Sequence, residues 1–141
     1  MTRVDCTIRL KNQQTETDHL CERLDEFGRD AGLSAKSLRA INLAIEELFT
    51  NVVSYGFTDG KEHTIIISLI QEGGTVTIRM EDDGAPFDPE KAAPPDLECA
   101  VEESVVGGLG IHLAKHLMDG FRYERRGDKN IVTMTKIVSD S

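Results

Sequence analysis

The sequence predicts an α+β sandwich, in which helices pack against a β-sheet. Some segments alternate apolar and polar residues, which is typical of half-buried strands, and others repeat apolar residues every three or four positions, which is typical of amphipathic helices. In chain order these segments read strand, two helices, two strands, one helix and two strands. Glycines separate most of them, as expected for turns and helix ends.

The chain begins with a predicted strand, because apolar residues occupy every second position from Val4 to Leu10. The first helix is predicted to start at a capping box formed by Thr15 and Asp18 and to stop at Gly32. Apolar residues recur at helical spacing between these signals, so this helix is amphipathic.

The longest predicted helix begins at Ser34 and closes at Gly56, with apolar residues at offsets of three and four between them. Two strands follow, 63–71 and 75–82, and a Gly-Gly turn joins them into a hairpin. The first of these strands is nearly apolar on both faces, which favours a central position in the sheet.

The last part of the chain is predicted to form a short helix, Leu109–Asp119, stopped by Gly120, and a second hairpin. The strands of this hairpin are 121–126 and 131–138, and residues 127–130 form the predicted turn. The three arginines of its first strand are interpreted as a solvated strand end rather than a nucleic-acid contact.

Residues Asp88 to Val106 form the one irregular stretch. Prolines at 89, 94 and 95 lie in it and Pro86 just before it, and acidic side chains outnumber the single Lys91. A loop of this length in a compact domain is usually functional or else disordered. Of a lid, a binding segment and a disordered loop, the motifs on either side favour a lid.

Length and composition predict one domain spanning residues 1–141, with the lid at about 88–106. No run approaches the roughly 18 apolar residues of a membrane span. The chain shows no secretory leader and no CxxC pair, which favours the cytoplasm, with Cys6, Cys21 and Cys99 as free thiols. The net charge of −9 argues against nucleic acid as the main partner, so any nucleotide is expected to be held locally, with a metal ion.

Three short motifs carry the functional prediction. The first lies on the second helix, where Glu47 and Asn51 are four positions apart and share a face, whereas Glu46 lies on the other flank of the apolar stripe. A carboxylate there can act as a general base, and an amide oxygen one turn away can ligate Mg²⁺. In isolation such a pair is usually a solvated helix face.

The second motif ends the third strand. The alternation of that strand places Asp82 in the inward register, where its carboxylate can accept a hydrogen bond from the exocyclic amine of adenine. Gly84 would let the backbone approach a flat base, and Asp83 is expected to be solvated. Taken alone, this Asp-Asp-Gly-Ala-Pro segment is more often a plain turn.

The third motif is the run of glycines Gly107, Gly108 and Gly110 just ahead of a helix. Such a helix start turns successive backbone N–H groups toward an anion, and the helix dipole adds partial positive charge, so phosphates bind there. Alone, the run is about as often a hinge. The order and spacing of all three motifs predict an ATP site.

The three motifs resemble those of the GHKL ATPases, the superfamily of histidine kinases, gyrase and MutL. The resemblance is carried by AIEELFTNVVSYGF, EDDGAPFDP and GGLGIHLAKHLMD, and it covers the chain from about Ser34 to Val138. The nearest branch is the anti-sigma-factor serine/threonine kinases. The resemblance implies a two-layer sandwich, the Bergerat fold, in which a mixed, mostly antiparallel sheet of four to five strands has helices on one face. It also implies that ATP binds between the helices and the lid.

The resemblance also implies a role for each motif residue. Glu47 matches the general base, Asn51 matches the residue that holds Mg²⁺ through the ATP phosphates, and Asp82 matches the adenine-binding acid. The other positions expected to line the nucleotide are Gly84, Pro86, Gly107, Gly108, Leu109 and Gly110.

By the same resemblance, the protein is expected to be a homodimeric anti-sigma regulatory factor that uses Mg-ATP to phosphorylate a serine or threonine of a STAS-type antagonist and also binds a sigma factor. Two features depart from the family pattern: Pro86 replaces a second glycine, and Val105 and Val106 stand where phosphorylating relatives carry polar or basic lid residues. Because phosphoryl transfer relies on positive groups, an alternative is an ATP-gated protein-binding module without significant kinase activity.

Overall fold

A computed structural model of the protein describes residues 3–57, 59–86 and 106–138. In chain order the elements are β1 (Arg3–Lys11), a 3₁₀ turn (Gln14–Glu16), α1 (Thr17–Ala31), α2 (Ala35–Tyr55), β2 (Thr64–Glu72), β3 (Thr75–Asp82), α3 (Val106–Leu117), β4 (Gly120–Arg126) and β5 (Lys129–Ile137). This is the predicted order of strands and helices. None of these helices is both long and apolar enough to cross a lipid bilayer, within the residues described.

The five strands form one sheet in the order β1-β2-β3-β5-β4, and all four pairings are antiparallel. β2 is paired along both edges, as its apolar character predicts. One face of the sheet packs against the helices, and both contribute to a single core. Buried side chains of that core include Ile8, Ile67, Ile78 and Met134 from the strands and Leu24, Phe27, Ile45 and Phe49 from the helices. The predicted α+β two-layer sandwich is confirmed.

The helix α2 begins where Ser34 predicts. The Ser34 side chain accepts a hydrogen bond from the backbone N–H of Ser37, at 3.1 Å, which satisfies one of the unpaired donors of the first turn. At its other end the N–H of Gly56 bonds to the carbonyl of Val52. The local signals were therefore sufficient to place both ends of this helix.

The predicted capping box of α1 is wrong. A 3₁₀ turn occupies residues 14–16, so Thr15 lies inside that turn and α1 starts at Thr17. The Thr17 hydroxyl donates to the carbonyl of Gln14 at 2.7 Å, and the Glu16 carboxylate accepts the backbone N–H of Lys11 at 2.8 Å. The first bond joins the start of the helix to the 3₁₀ turn, and the second ties that turn to the end of β1.

Two boundaries in the last part of the chain also differ from the prediction. The helix α3 starts at Val106, so the glycine run lies inside its first turns, and it ends at Leu117. Gly120 is the first residue of β4 rather than a helix stop, and a Cβ there would overlap the Thr135 hydroxyl of the neighbouring strand. The hairpin turn contains only Gly127 and Asp128, so Asn130 belongs to β5.

The helices α2 and α3 pack against each other in opposite directions. Leu117, at the end of α3, lines the same surface groove as Ser34 and Leu43 from the first half of α2. The 12 residues of α3 span about 18 Å, so its glycine-rich start lies beside the C-terminal half of α2. This arrangement brings the first and third motifs to the same end of the molecule.

Candidate functional site: a base-side turn and a polar helix face

The turn that follows β3, residues 82–86, lies directly against the end of α2, and we call it the base-side turn. The backbone N–H of Ala85 donates to the carbonyl of Gly56 at 2.9 Å. A Cβ at position 84 would overlap that same carbonyl and lie 3.0 Å from Asp82 Oδ1. The two chain segments therefore approach so closely that only glycine fits at position 84.

Asp82 is the buried acid of this turn, with 5% of its surface exposed. It continues the inward register of Val76, Ile78 and Met80, as the alternation predicts. Its Oδ1 accepts the backbone N–H of Gly84 at 2.8 Å and the side-chain amide of Asn130 at 3.0 Å. Burial raises the pKa of the Asp82 carboxyl, and these two hydrogen bonds oppose that rise.

Asn130 is a site residue that the sequence reasoning missed, because residues 127–130 were assigned to a turn. It is 5% exposed and lies opposite Asp82 in the pairing of β5 with β3. Besides Asp82, its side-chain N–H₂ group donates to the carbonyl of Ala85 at 2.9 Å, and its Oδ1 accepts the Tyr123 hydroxyl. The signal that could have found it is register, since Asn130 alternates with the buried Val132 and Met134.

Arg125 also differs from its interpretation as part of a solvated strand end. Its side chain is half-buried and donates to the carbonyl of Gly84 at 2.8 Å and to Asn130 Oδ1 at 3.2 Å. Arg122 and Arg126 are exposed, as expected, and Arg126 pairs with Glu124 on its own strand. Arg125 therefore stabilises the base-side turn through these hydrogen bonds.

The polar face of α2 carries Glu47 and Asn51. Asn51 is 7% exposed. A carboxamide oxygen is a hard ligand of the kind that Mg²⁺ accepts, so this side chain suits a bound metal. Glu47 lies one turn earlier and is half-buried.

Glu46 faces a different neighbour. Burial, followed by the negative charge of the Glu46 carboxylate, raises the pKa of the Cys21 thiol on α1. The two adjacent glutamates therefore lie on different sides of α2. That Glu47, and not Glu46, accompanies Asn51 at the metal stays a prediction.

The glycine run Gly107, Gly108, Leu109 and Gly110 forms the first turns of α3. The first four N–H groups of a helix have no partner inside the helix, so this end can accept phosphate oxygens. Pro86 is exposed and ends its described segment. The predicted lid lies outside the described residues, apart from Val106.

The residues present suit a magnesium-bound adenine nucleotide. Asn51 offers a hard oxygen ligand on α2, and the missing Cβ of Gly84 lets the turn after β3 lie against the Gly56 carbonyl. Asp82 offers a buried acceptor that two hydrogen bonds hold in place. The second motif therefore lies against the end of α2, the helix that carries Glu47 and Asn51.

Replacing Gly84 by alanine tests the close contact of the turn with α2. The new methyl group would overlap the Gly56 carbonyl, so the turn must move, and we expect the free energy of unfolding to fall by about 1–3 kcal/mol. Nucleotide affinity should fall as well. Urea unfolding and ADP titration measure the two effects.

Gly32→Ala is the matched control for Gly84→Ala. Gly32 has a φ of 66° at the end of α1 and no atom near its missing Cβ, so alanine costs about 1 kcal/mol through backbone strain alone. We expect this variant to keep its nucleotide affinity. Equal affinity of Gly84→Ala and wild type would show that the turn is not part of the site.

Comparison with known proteins agrees with the fold and the motifs. Residues 10–136 match the family model described as histidine kinase-like ATPase domain. The serine/threonine-protein kinase BtrW of Bordetella bronchiseptica is 33% identical over 102 residues, covering 72% of both chains. The serine-protein kinase RsbW of Listeria monocytogenes is 29% identical over 115 residues, covering 78% of this chain and 72% of the relative.

Solved structures show the same fold. The structure of the RsbU and RsbW domains of Rv1364c from Mycobacterium tuberculosis has a TM-score of 0.66 at 16% identity, and the match covers 95% of this chain and 32% of the other. The blue-light activated histidine kinase EL346 of Erythrobacter litoralis has a TM-score of 0.58 at 18% identity, with 77% and 33% covered. The resemblance stated from the three motifs is confirmed, and the chain belongs to the histidine kinase-like ATPase domain family.

Proposed function

We propose that the protein is an anti-sigma regulatory factor that binds Mg-ATP and phosphorylates a serine or threonine of a STAS-type antagonist. The relatives BtrW and RsbW are named protein kinases, and both align with most of this chain. The observation that carries the proposal is the buried Asp82, whose Oδ1 is held by Gly84 and Asn130.

Asp82 would recognise the base. Both of its hydrogen bonds described here fall on Oδ1, so Oδ2 is the oxygen that we assign to the exocyclic amine of adenine. Asn130 holds the carboxylate through Oδ1, and Arg125 donates to the carbonyl of Gly84 in the same turn. The turn would thus be ordered before the nucleotide arrives, which lowers the entropy cost of binding.

The other end of the nucleotide would lie between α2 and the start of α3. Asn51 would hold Mg²⁺ through its amide oxygen, and the N–H groups of the glycine run would bind phosphate oxygens. Bound Mg-ATP supplies the transferable phosphoryl group and neutralises charge on it. Glu47, on the Asn51 face of α2, would accept the proton of the attacking hydroxyl.

The regulatory part of the proposal concerns partners. A STAS-type antagonist would be the phosphate acceptor, a sigma factor would be the protein held in its absence, and the active form would be a homodimer in the cytoplasm. Named relatives of the RsbW type support this assignment. The net charge of −9 is consistent with protein partners rather than nucleic acid.

A second candidate is an ATP-gated binding module with little or no phosphotransfer. The sequence observation that favours it is Val105 and Val106 beside an acidic stretch, where phosphoryl transfer would profit from cations. Arg125 does not supply such a charge, because its guanidinium is already bound to Gly84 and Asn130.

The experiment that tests the proposal is incubation of the purified protein with Mg²⁺, γ-labelled ATP and the STAS-domain protein encoded nearby. We expect label on that protein and none on its variant with alanine at the acceptor hydroxyl. ATP binding without any transfer would select the binding module. No binding of ATP would contradict both functions.

A further inference from the structure

A histidine lies between two aspartates at the edge of the base-side turn. His63 Nε2 is 2.8 Å from Asp59 Oδ2, and His63 Nδ1 is 3.1 Å from Asp83 Oδ1. A neutral imidazole can donate through only one of its nitrogens, whereas an imidazolium donates through both. The arrangement therefore suits the protonated form of His63.

Packing fixes this imidazole from two further sides. The ring of Phe57 stacks on it, with the ring centroids 4.4 Å apart, and the backbone N–H of His63 donates to Asn12 Oδ1 at 2.8 Å. The His63 side chain is 19% exposed, against 44% for Asp59 and 35% for Asp83. The histidine is thus the better shielded member of the cluster, which we call the His63 clamp.

The clamp joins the two chain segments that meet at the base-side turn. Asp83 stands between Asp82, the buried acid, and Gly84. Phe57 follows Gly56, whose carbonyl accepts the N–H of Ala85. Holding Asp83 to the segment after α2 therefore reinforces the same contact that sets the position of Asp82.

We propose that the imidazolium of His63 is a positioning group for the nucleotide site, because it ties the turn that carries Asp82 to the end of α2. The inference rests on the proposed binding of an adenine nucleotide. It predicts that nucleotide affinity depends on the protonation of a side chain that does not itself touch the nucleotide.

The direction of this pH dependence follows from the charges around the ring. The hydrogen bond with Asp59 is the largest cause that raises the pKa of His63; shielding from water opposes it, and the charges of Asp59 and Asp83 add to the rise. A pKa raised above its unfolded value means that the clamp is fully formed at low pH and is lost as pH rises through the folded pKa.

Other charged groups border the clamp. The backbone N–H of Lys61 donates to Asp59 Oδ1 at 2.9 Å, and Lys11, at the end of β1, pairs with Glu62 at 3.3 Å. Asp82 adjoins Asp83 but is turned toward Asn130. The two aspartates of the clamp are therefore the acids that hold the imidazolium.

The test compares ADP affinity of wild type and His63→Gln from about pH 5.5 to about pH 9. Glutamine keeps one hydrogen bond but carries no charge. At about pH 6 we expect its affinity to be about two- to fivefold weaker, the range expected for partly exposed ion pairs. The ratio of the two affinities should approach one at high pH. Titration of the ADP phosphates affects both proteins and cancels in this ratio.

His19→Gln is the matched control, because His19 is an exposed histidine on α1. We expect its affinity ratio to stay near one at every pH. Asp59→Asn is the second variant, and it should reproduce the effect of His63→Gln without changing the ring. Thermal melts of each variant show that the proteins compared are folded.

An NMR titration of the His63 ring gives an independent readout. Coupling between two sites is reciprocal, so ADP should raise the midpoint of the His63 titration, and Asp59→Asn should lower it. A constant affinity ratio across the pH range would overturn the positioning role of His63. The proposed function would still stand in that case, provided that the wild type binds ADP. Failure of the wild type to bind ADP at any pH would overturn both.

Discussion

Glu47→Gln should lower phosphotransfer to the antagonist by about 10²–10⁴-fold, the usual contribution of a positioned general base, while ATP affinity changes little. The physical reason is the geometry of α2, which puts Glu47 one turn before the buried Asn51. The amide of glutamine keeps the shape of the side chain but cannot accept the hydroxyl proton. Single-turnover phosphorylation, with ATP binding measured in parallel, separates the two effects.

Glu46→Gln is the matched control for this prediction. Glu46 is the preceding residue in the chain, but its carboxylate lies close enough to Cys21 on α1 to raise the pKa of that thiol. We expect this variant to transfer phosphate at close to the wild-type rate. If Glu46→Gln were the inactive variant and Glu47→Gln the active one, the assignment of the general base to Glu47 would be wrong.

Asp82→Asn should weaken ATP binding by about one to two decades, the loss of a charge-assisted hydrogen bond worth roughly 1.5–3 kcal/mol. The asparagine Oδ1 can still accept from Gly84 and Asn130, so the turn is expected to keep its shape. Its N–H₂ group would then face the exocyclic amine of adenine. Because both groups are hydrogen-bond donors, no hydrogen bond can form between them. Calorimetric titration with ATP measures the loss.

The same substitution should not destabilise the protein at neutral pH. Burial raises the pKa of Asp82 above its value in the unfolded chain, so ionising this carboxyl lowers the free energy of unfolding. The loss sets in as the pH rises above the unfolded pKa. Asparagine removes that cost, and we expect an unchanged or higher melting temperature. Asp128→Asn, in the exposed hairpin turn, is the control for losing one negative charge. Unchanged ATP affinity of Asp82→Asn would remove Asp82 from the site.

The parts of the structure that sequence predicted are those set by neighbours along the chain. Ser34 caps α2 through a residue three positions away, and the inward register of Asp82 follows from the alternation of its own strand. The start of α3 was placed too late because glycines have low helix propensity and were assigned to the loop before it.

The parts that sequence did not predict depend on distant partners. Asn130 bonds to Asp82 across 48 positions, and Arg125 bonds to Gly84 across 41 positions, so neither role is visible in a local pattern. The two-residue turn at Gly127, with a φ of 62°, moved Asn130 from the predicted turn into β5. A charged residue in a hairpin also appears solvated until its tertiary partner is known.

The pairing of Asp82 with Asn130 makes the base-side turn a product of the completed sheet. Asp82 ends β3, whereas Asn130 lies near the start of β5, the last of the described strands in chain order. A slip of β5 by one position would turn Asn130 to the opposite face and leave Asp82 without its donor. A nascent chain would therefore lack an ordered base site until the hairpin of β4 and β5 has docked in register. Nucleotide binding would thus report that this hairpin is in place, and bound nucleotide would in turn stabilise the folded sheet by mass action.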